Sequence, residues 1–500
     1  MNKTTFLPYA ILMTLLFSLL SCQDAESPQN QQVFKTSDKA KLTNAEQVKN
    51  CSFSKQTNWW TKSFDSLPAD VANNLVTGSP EFCEFYQFSQ DYFLFLISPS
   101  STPGVANLED QANFPLLETS GTNSCDDTYP SHSLNVRNVK NENDKSGFII
   151  PERIDQAGAN AIYDQQGNVV FYEIRFTKNL CDYPAIQSKP NFPGKTVEMK
   201  MAWRVLNATD NTSDFYTTNT TINGKDYKLG LIGWHIVVTA DNHPEMVWIT
   251  LDHQRNAIAC DNIGPKQPAF NFTSHSCSQN KAQCNNLNKT LKSKLLKLPA
   301  GTKPNDICQS FPYGTLKDQA ITTRDGLNIA LIKKLNEELQ NKIFKQAGLP
   351  ASLSVWKNYR FTGALWISDI KLNSSDKTNQ RGSLELANTV METSFQGTTG
   401  KPGSAFNCFI CHNYSGTSSG TSNTQDAARL SHIFDDIISG QKCSDVQASH
   451  LINNQSQAER TCPNTCNNKS SNLAWNGQWT NQDATTGKQL PMTVCGCCSK

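Results

Sequence analysis

The sequence predicts an α+β chain that is mostly β: a β-rich body with a few helices, a short cysteine-marked segment, and a small disulfide-rich β module. Three observations lead there. Residues 197–205 (Val-Glu-Met-Lys-Met-Ala-Trp-Arg-Val) alternate apolar and polar side chains with period two, as a strand with one buried face does. Only one long stretch repeats its apolar residues at helical spacing, through Leu327, Leu331, Leu335, Leu339 and Ile343. The texture then changes after Cys443, where six of the 17 cysteines crowd into the end of the chain. A chain of 500 residues exceeds what one core usually holds, so two or three domains are expected.

The chain begins with a basic Lys3 and a nearly unbroken apolar run from Phe6 to Leu20, of signal-peptide length and short for a membrane span. The run ends in Leu19-Leu20-Ser21-Cys22, which resembles a bacterial lipobox. That resemblance implies that residues 1–22 are a lipoprotein signal with Cys22 acylated, and Gln23 after it implies outer-membrane sorting. Residues 23–50 are polar and poor in aromatics and read as a flexible tether. The β-rich body is assigned to residues 51–373. Within it, residues 161–176 read as a hairpin turning at Gln165-Gln166-Gly167-Asn168. Residues 229–240 and 246–253 form a second strand pair joined by Asp241-Asn242-His243-Pro244. The helix runs over residues 324–346, and Gly348 with Pro350 ends it.

Charge and motifs exclude several classes of function. A net charge of +1, spread evenly, gives no support for a nucleic-acid partner. No Ser-His-Asp order, HExxH or phosphate loop is present, so nothing points to hydrolysis or phosphoryl transfer and no catalytic residue is assigned. His235, His243 and His253 fall on or between facing strands. They suit either a metal or substrate site, or three separately hydrogen-bonded sheet histidines.

Residues 374–442 hold the most specific motif in the chain. Cys408-Phe409-Ile410-Cys411-His412 is a C-x-x-C-H, the attachment signature of a c-type haem. The two thiols add across the haem vinyl groups, and His412 supplies the proximal imidazole to the iron. One covalent haem c is therefore expected, with Met391 and His432 as the two candidates for the distal ligand. Setting aside Cys22, Cys408 and Cys411 leaves 14 cysteines, eight before the motif and six after it. Each group is even and can close its own disulfides in an oxidising compartment.

Four segments of the body, including the Val197–Val205 strand and Gly230-Leu231-Ile232-Gly233-Trp234-His235, occur in the same order in a family of secreted bacterial monohaem proteins. So do Leu386-Ala387-Asn388-Thr389-Val390-Met391-Glu392-Thr393, the haem motif itself, and Leu430-Ser431-His432-Ile433-Phe434. The resemblance spans residues 59–440 and implies a shared fold and a haem, without implying a reaction. Residues 443–500 are similar to the small mannan-binding lectin module of bacteria. They share its Cys462-Pro463 pair, its Trp475-Asn476-Gly477-Gln478-Trp479 loop and its Met492-Thr493-Val494-Cys495-Gly496-Cys497 strand. Thr493 stands where serine is more usual, and the extra Cys498 is a candidate partner for Cys443. In this reading Trp475 and Trp479 bracket a polar turn and stack on a sugar, while Asn476, Gly477 and Gln478 bond its hydroxyls. The competing reading makes both indoles part of a tiny disulfide-braced core.

Together these features predict an exported outer-membrane lipoprotein, periplasmic or surface-facing, held to the membrane by lipid. It binds mannose-type glycans and carries one haem, for electron transfer to an unknown redox partner. The rival reading is a haem-dependent redox enzyme or electron donor that the lectin module localises on glycans.

Overall fold

The computed structural model describes residues 42–53, 57–116, 161–180, 192–222, 225–264, 268–285, 296–315, 320–397, 407–410, 412, 430–431, 443–482 and 489–499. The chain divides into units 1–40 and 41–500, and the first, with Cys22 and most of the tether, lies outside the described residues. Among the described residues no helix is long and apolar enough to cross a membrane.

In chain order the helices are α1 (Asn44–Asn50), α2 (Phe82–Ile97), α3 (His275–Gln279), α4 (Arg324–Asn341), α5 (Thr393–Gly397) and α6 (Gln455–Lys469). The strands are β1 (Val170–Phe176), β2 (Val197–Val205), β3 (Thr217–Ile222), β4 (Lys225–Ala240) and β5 (His243–His253). They continue with β6 (Tyr359–Ile367), β7 (Gln380–Gly382), β8 (Cys443–Gln447), β9 (Leu473–Gln482) and β10 (Gln489–Ser499). The architecture is the expected α+β, rich in sheet and braced by disulfides.

Seven strands form one antiparallel sheet in the order β1-β2-β4-β5-β6-β7, with β3 added along the start of β4. The apolar side chains of β2 behave as predicted: Val197, Met199, Met201 and Trp203 enter one apolar cluster with Trp234, Ile236, Ile249, Leu251 and Phe361. The expectation of a single buried face is corrected, because Glu198, Ala202 and Arg204 on the other face are buried too. Helices α2 and α4 cover that face; Phe85 of α2 stacks on Trp366 at 4.0 Å, and Phe93 meets Phe361 edge-on at 5.3 Å. Helix α4 ends at Asn341, a few residues before the expected limit, and continues as a single 3₁₀ turn at Ile343–Lys345.

Helix α2 was not legible as a helix. Its sequence, Phe-Cys-Glu-Phe-Tyr-Gln-Phe-Ser-Gln-Asp-Tyr-Phe-Leu-Phe-Leu-Ile, is dense in aromatics that favour strands and shows no clear polar stripe. The reason is burial: wedged under the sheet, it buries side chains nearly all round. Glu84 caps its start by accepting from the Glu81 N–H at 3.0 Å, and a Cys51–Cys83 disulfide pins the same end. The 161–176 hairpin is also modified. Gly167 closes the turn onto the Asp164 carbonyl, but Tyr163 and Val169 make only a single bridge. Strand β1 then takes β2 as its long partner, from Val170 opposite Arg204 to Phe176 opposite Glu198.

The second face of the sheet is covered by the chain's own later segments. Ala202, Ile232, Val390 and Met391 form one apolar cluster there; Val237, Trp248, Leu365, Leu386, Phe409 and Leu430 form another. The described parts of residues 374–442 therefore belong to the same sheet as the body, with β7 as its last strand. Lacking apolar residues enough for a core of its own, this segment borrows the sheet's second face. Two glycines make the approach close: a Cβ on Gly233 would stand 2.7 Å from Asn388 Oδ1 and from Val390 Cγ2, and one on Gly363 would strike Ser383 Oγ. Gly233→Ala is expected to destabilise the protein by about 1–3 kcal/mol through overpacking. A lower urea midpoint at unchanged m-value is the check.

Candidate functional sites

The Cys408 segment is anchored by its middle. Phe409 is fully buried against Trp248, ring centroids 6.0 Å apart, and Asn407 ties the preceding turn to Gln380 Oε1 and the Leu384 carbonyl at 2.8 and 2.7 Å. Residues 408–410 form one 3₁₀ turn, and the His412 N–H reaches back to the Cys408 carbonyl at 2.9 Å. The Cys408 sulfur is half-buried at the edge of the apolar cluster, while Cys411 lies outside the described residues. His412 packs its ring at 4.5 Å from that of Trp248, and its Nδ1 is 2.6 Å from the Leu430 carbonyl. A carbonyl only accepts, so Nδ1 carries the proton and the lone pair resides on Nε2. That is the tautomer and the fixed orientation a metal-ligating imidazole needs.

The two candidates for the distal position fare differently. His432 lies outside the described residues. Met391 is 1% exposed in the cluster around Ala202, Ile232 and Val390, separate from the one that holds Phe409 and Leu430. That placement supports core packing for its thioether. Trp248 and Leu430, which orient His412, were not legible as site residues: one reads as an ordinary strand aromatic, and the other acts through its backbone.

The three sheet histidines do not converge, because each has its own partner. His235 lies opposite Thr250, with Nδ1 2.8 Å from the Thr250 hydroxyl and Nε2 3.1 Å from both Glu392 oxygens. Burial raises the Glu392 carboxyl, but His235, the Asn388 N–H and Lys200 together outweigh it and the net direction is downward. His253 accepts from Arg255 N–H, donates to the Asp214 carbonyl at 2.9 Å and stacks on Phe215; burial pushes it down to about 4, so it stays neutral. His243 bonds Glu245 Oε1 at 2.9 Å. Among the described residues no group of three or more His, Cys, Asp or Glu is placed to hold a metal ion.

The C-terminal module is a three-stranded sheet, β8-β10-β9, with α6 laid across it. Cys462 and Cys466 are one helical turn apart on α6, about 6 Å along its axis. Cys495 and Cys497 are two residues apart on β10 and share a face at nearly the same separation, about 7 Å. The spacings match, so two parallel disulfides, Cys462–Cys495 and Cys466–Cys497, staple helix to sheet at Cα separations of 5.5 and 5.3 Å. Cys443 and Cys498 are directly opposed in the β8–β10 register. Every described disulfide of the chain stays on its own side of the 408–412 motif, as the cysteine count allowed. Thr493 is buried, and its hydroxyl accepts from the Ile452 N–H at 2.6 Å and bonds Asn481. A hydroxyl is what the position requires, which accounts for threonine in place of serine.

The Trp475–Trp479 segment is not the turn the sequence suggested. It lies within β9, where Trp475 pairs with Cys497 and Trp479 with Cys495, so that residues 476–478 bulge opposite Gly496 alone. Both indoles are half-buried against the disulfide core and keep exposed area beside the bulge. They thus serve packing while remaining at the surface, and the two readings of them are compatible.

The module is thus a helix stapled by paired disulfides to a bulged, tryptophan-flanked strand. Residues 455–497 match the family model described as mannan-binding protein, so this part of the chain is similar to that module. Comparison with curated proteins and with solved structures gives no significant match.

Proposed function

We propose that the chain is an exported lipoprotein, anchored at Cys22, that binds mannose-type glycans and carries one covalent haem c for electron transfer. The match of residues 455–497 to the mannan-binding model carries the glycan part. In the module, Trp475 and Trp479 offer indole faces to the apolar side of a sugar ring, and the bulged Asn476-Gly477-Gln478 offers polar groups to its hydroxyls. One such module binds weakly, so adhesion relies on many copies at the surface. The several disulfides suit an oxidising compartment outside the cytoplasm.

The haem part rests on the C-x-x-C-H motif and is supported by the His412 Nδ1 to Leu430 carbonyl bond. Cys408 and Cys411 would hold the group and His412 Nε2 would ligate its iron. When bound, haem supplies one-electron redox chemistry. Phe409 and Trp248 fix the segment against the sheet.

The double substitution Trp475→Ala, Trp479→Ala is expected to weaken binding to a mannan-coated surface at least tenfold while leaving the visible spectrum unchanged. Undiminished binding by the folded variant, measured by surface plasmon resonance, would remove these residues from the glycan site.

A further inference from the structure

Glu198 is the second residue of β2 and stands on the face turned towards the Cys408 segment. Its cross-strand neighbours are Phe176 and Val237, both members of the apolar cluster that also holds Trp248, Phe409 and Leu430. The residue is 8% exposed, and its Oε1 has no hydrogen-bond partner among the described residues. The Ser431 hydroxyl lies beside the carboxyl, and Ser431 directly follows Leu430, whose carbonyl holds the Nδ1 proton of His412. A carboxylate walled in by apolar side chains is costly as an anion. Burial pushes Glu198 up to about 7, against the opposing effect of Ser431. The other titratable or charged groups on the surrounding elements are Lys200 on the same face of β2, His235 on β4, Glu392 above the sheet, and His412. His235 and Glu392 engage each other, and β1 contributes Phe176, Ile174, Tyr172 and Val170 to this face, with the Tyr172 hydroxyl donating to the Val390 carbonyl.

We propose that Glu198 is a proton-binding site coupled to the haem-carrying segment: its carboxylate takes a proton from solvent when an external one-electron reductant adds an electron at the iron, and releases it on reoxidation. The inference rests on the reading that residues 408–412 carry a c-type haem. Charge balances in the step, since one electron enters at the iron while –COO⁻ becomes –COOH. In a low-dielectric cluster the electron's charge is poorly screened, so its arrival raises the affinity of Glu198 for a proton. By the same linkage, the midpoint potential falls as pH rises through the range where Glu198 titrates.

The test is a spectroelectrochemical titration of the holoprotein from mildly acidic to mildly alkaline pH. The wild type is expected to show a potential that falls across neutral pH and levels off on either side. Glu198→Gln, which mimics the protonated acid, should stay flat near the acid-side value of the wild type, and Glu198→Asp should restore a slope. A Gln variant with the wild-type slope would overturn the proposal, whereas a wild type without a pyridine haemochrome would instead overturn the haem reading. Infrared difference spectra give a haem-independent check that does not require the variant to fold. The wild type should gain a carboxylic-acid C=O band as pH drops through neutrality, and its absence would also overturn the assignment.

Discussion

Cys408→Ser combined with Cys411→Ser, in protein exported to an oxidising compartment, is expected to abolish covalent haem completely. The thiols are the only atoms the motif offers for thioether formation, so no pyridine haemochrome should survive acid–acetone extraction. The fold should persist, because the segment is held by other groups: Phe409 in the apolar cluster, Asn407 on Gln380 and Leu384, and the His412–Leu430 bond. His412→Ala separates attachment from ligation. It should keep covalent haem but lose the sharp low-spin reduced α-band of the wild type, since the imidazole positioned by Leu430 is gone. A wild type lacking extraction-resistant haem would sink the cofactor assignment, and Cys408 and Cys411 would then be disulfide chemistry alone.

Legibility followed how locally each feature is encoded. Strand β2 shows its period because its two faces differ in character, with Met199, Met201 and Trp203 on one side and Glu198, Lys200 and Arg204 on the other. Helix α4 shows its stripe because one side meets solvent. Helix α2 hid because burial on nearly all sides erases the stripe, and aromatics chosen to fill a core look like strand residues. The haem motif was legible because its chemistry needs two thiols and an imidazole at fixed spacing. Its setting was not: the Leu430 carbonyl, Trp248 and Glu198 are brought to it by long-range register. The tryptophan pair stood out in the sequence, but its conformation did not, since it lies within β9. The lectin resemblance implied a loop at residues 475–479, whereas they form part of β9 with a register shift opposite Gly496.

The two staples of the C-terminal module should respond unequally to single and double removal. Cys462–Cys495 and Cys466–Cys497 close loops with sequence separations of 33 and 31 residues, but the two loops overlap almost completely. With one bridge intact, the other closes a ring of only about six residues, and the chain-entropy estimate for that is roughly 2 kcal/mol. Closing the first loop in an open chain is worth roughly 3–4 kcal/mol by the same estimate, so losing both costs roughly 6 kcal/mol. A core of about 50 residues rarely supplies more than 3–5 kcal/mol, so the double loss exceeds what the module holds in reserve. Cys466→Ala with Cys497→Ala should therefore lower the module's thermal midpoint yet leave glycan binding measurable at room temperature. Substituting all four cysteines by alanine should unfold α6 from the sheet, release Trp475 and Trp479 to solvent, and eliminate binding. The body should be untouched, because every described disulfide it contains closes upstream of the 408–412 motif. Intrinsic tryptophan fluorescence alongside mannan binding checks the prediction, and a four-alanine variant that still binds would show that the helix–sheet staple does not hold the bulged strand in its binding shape.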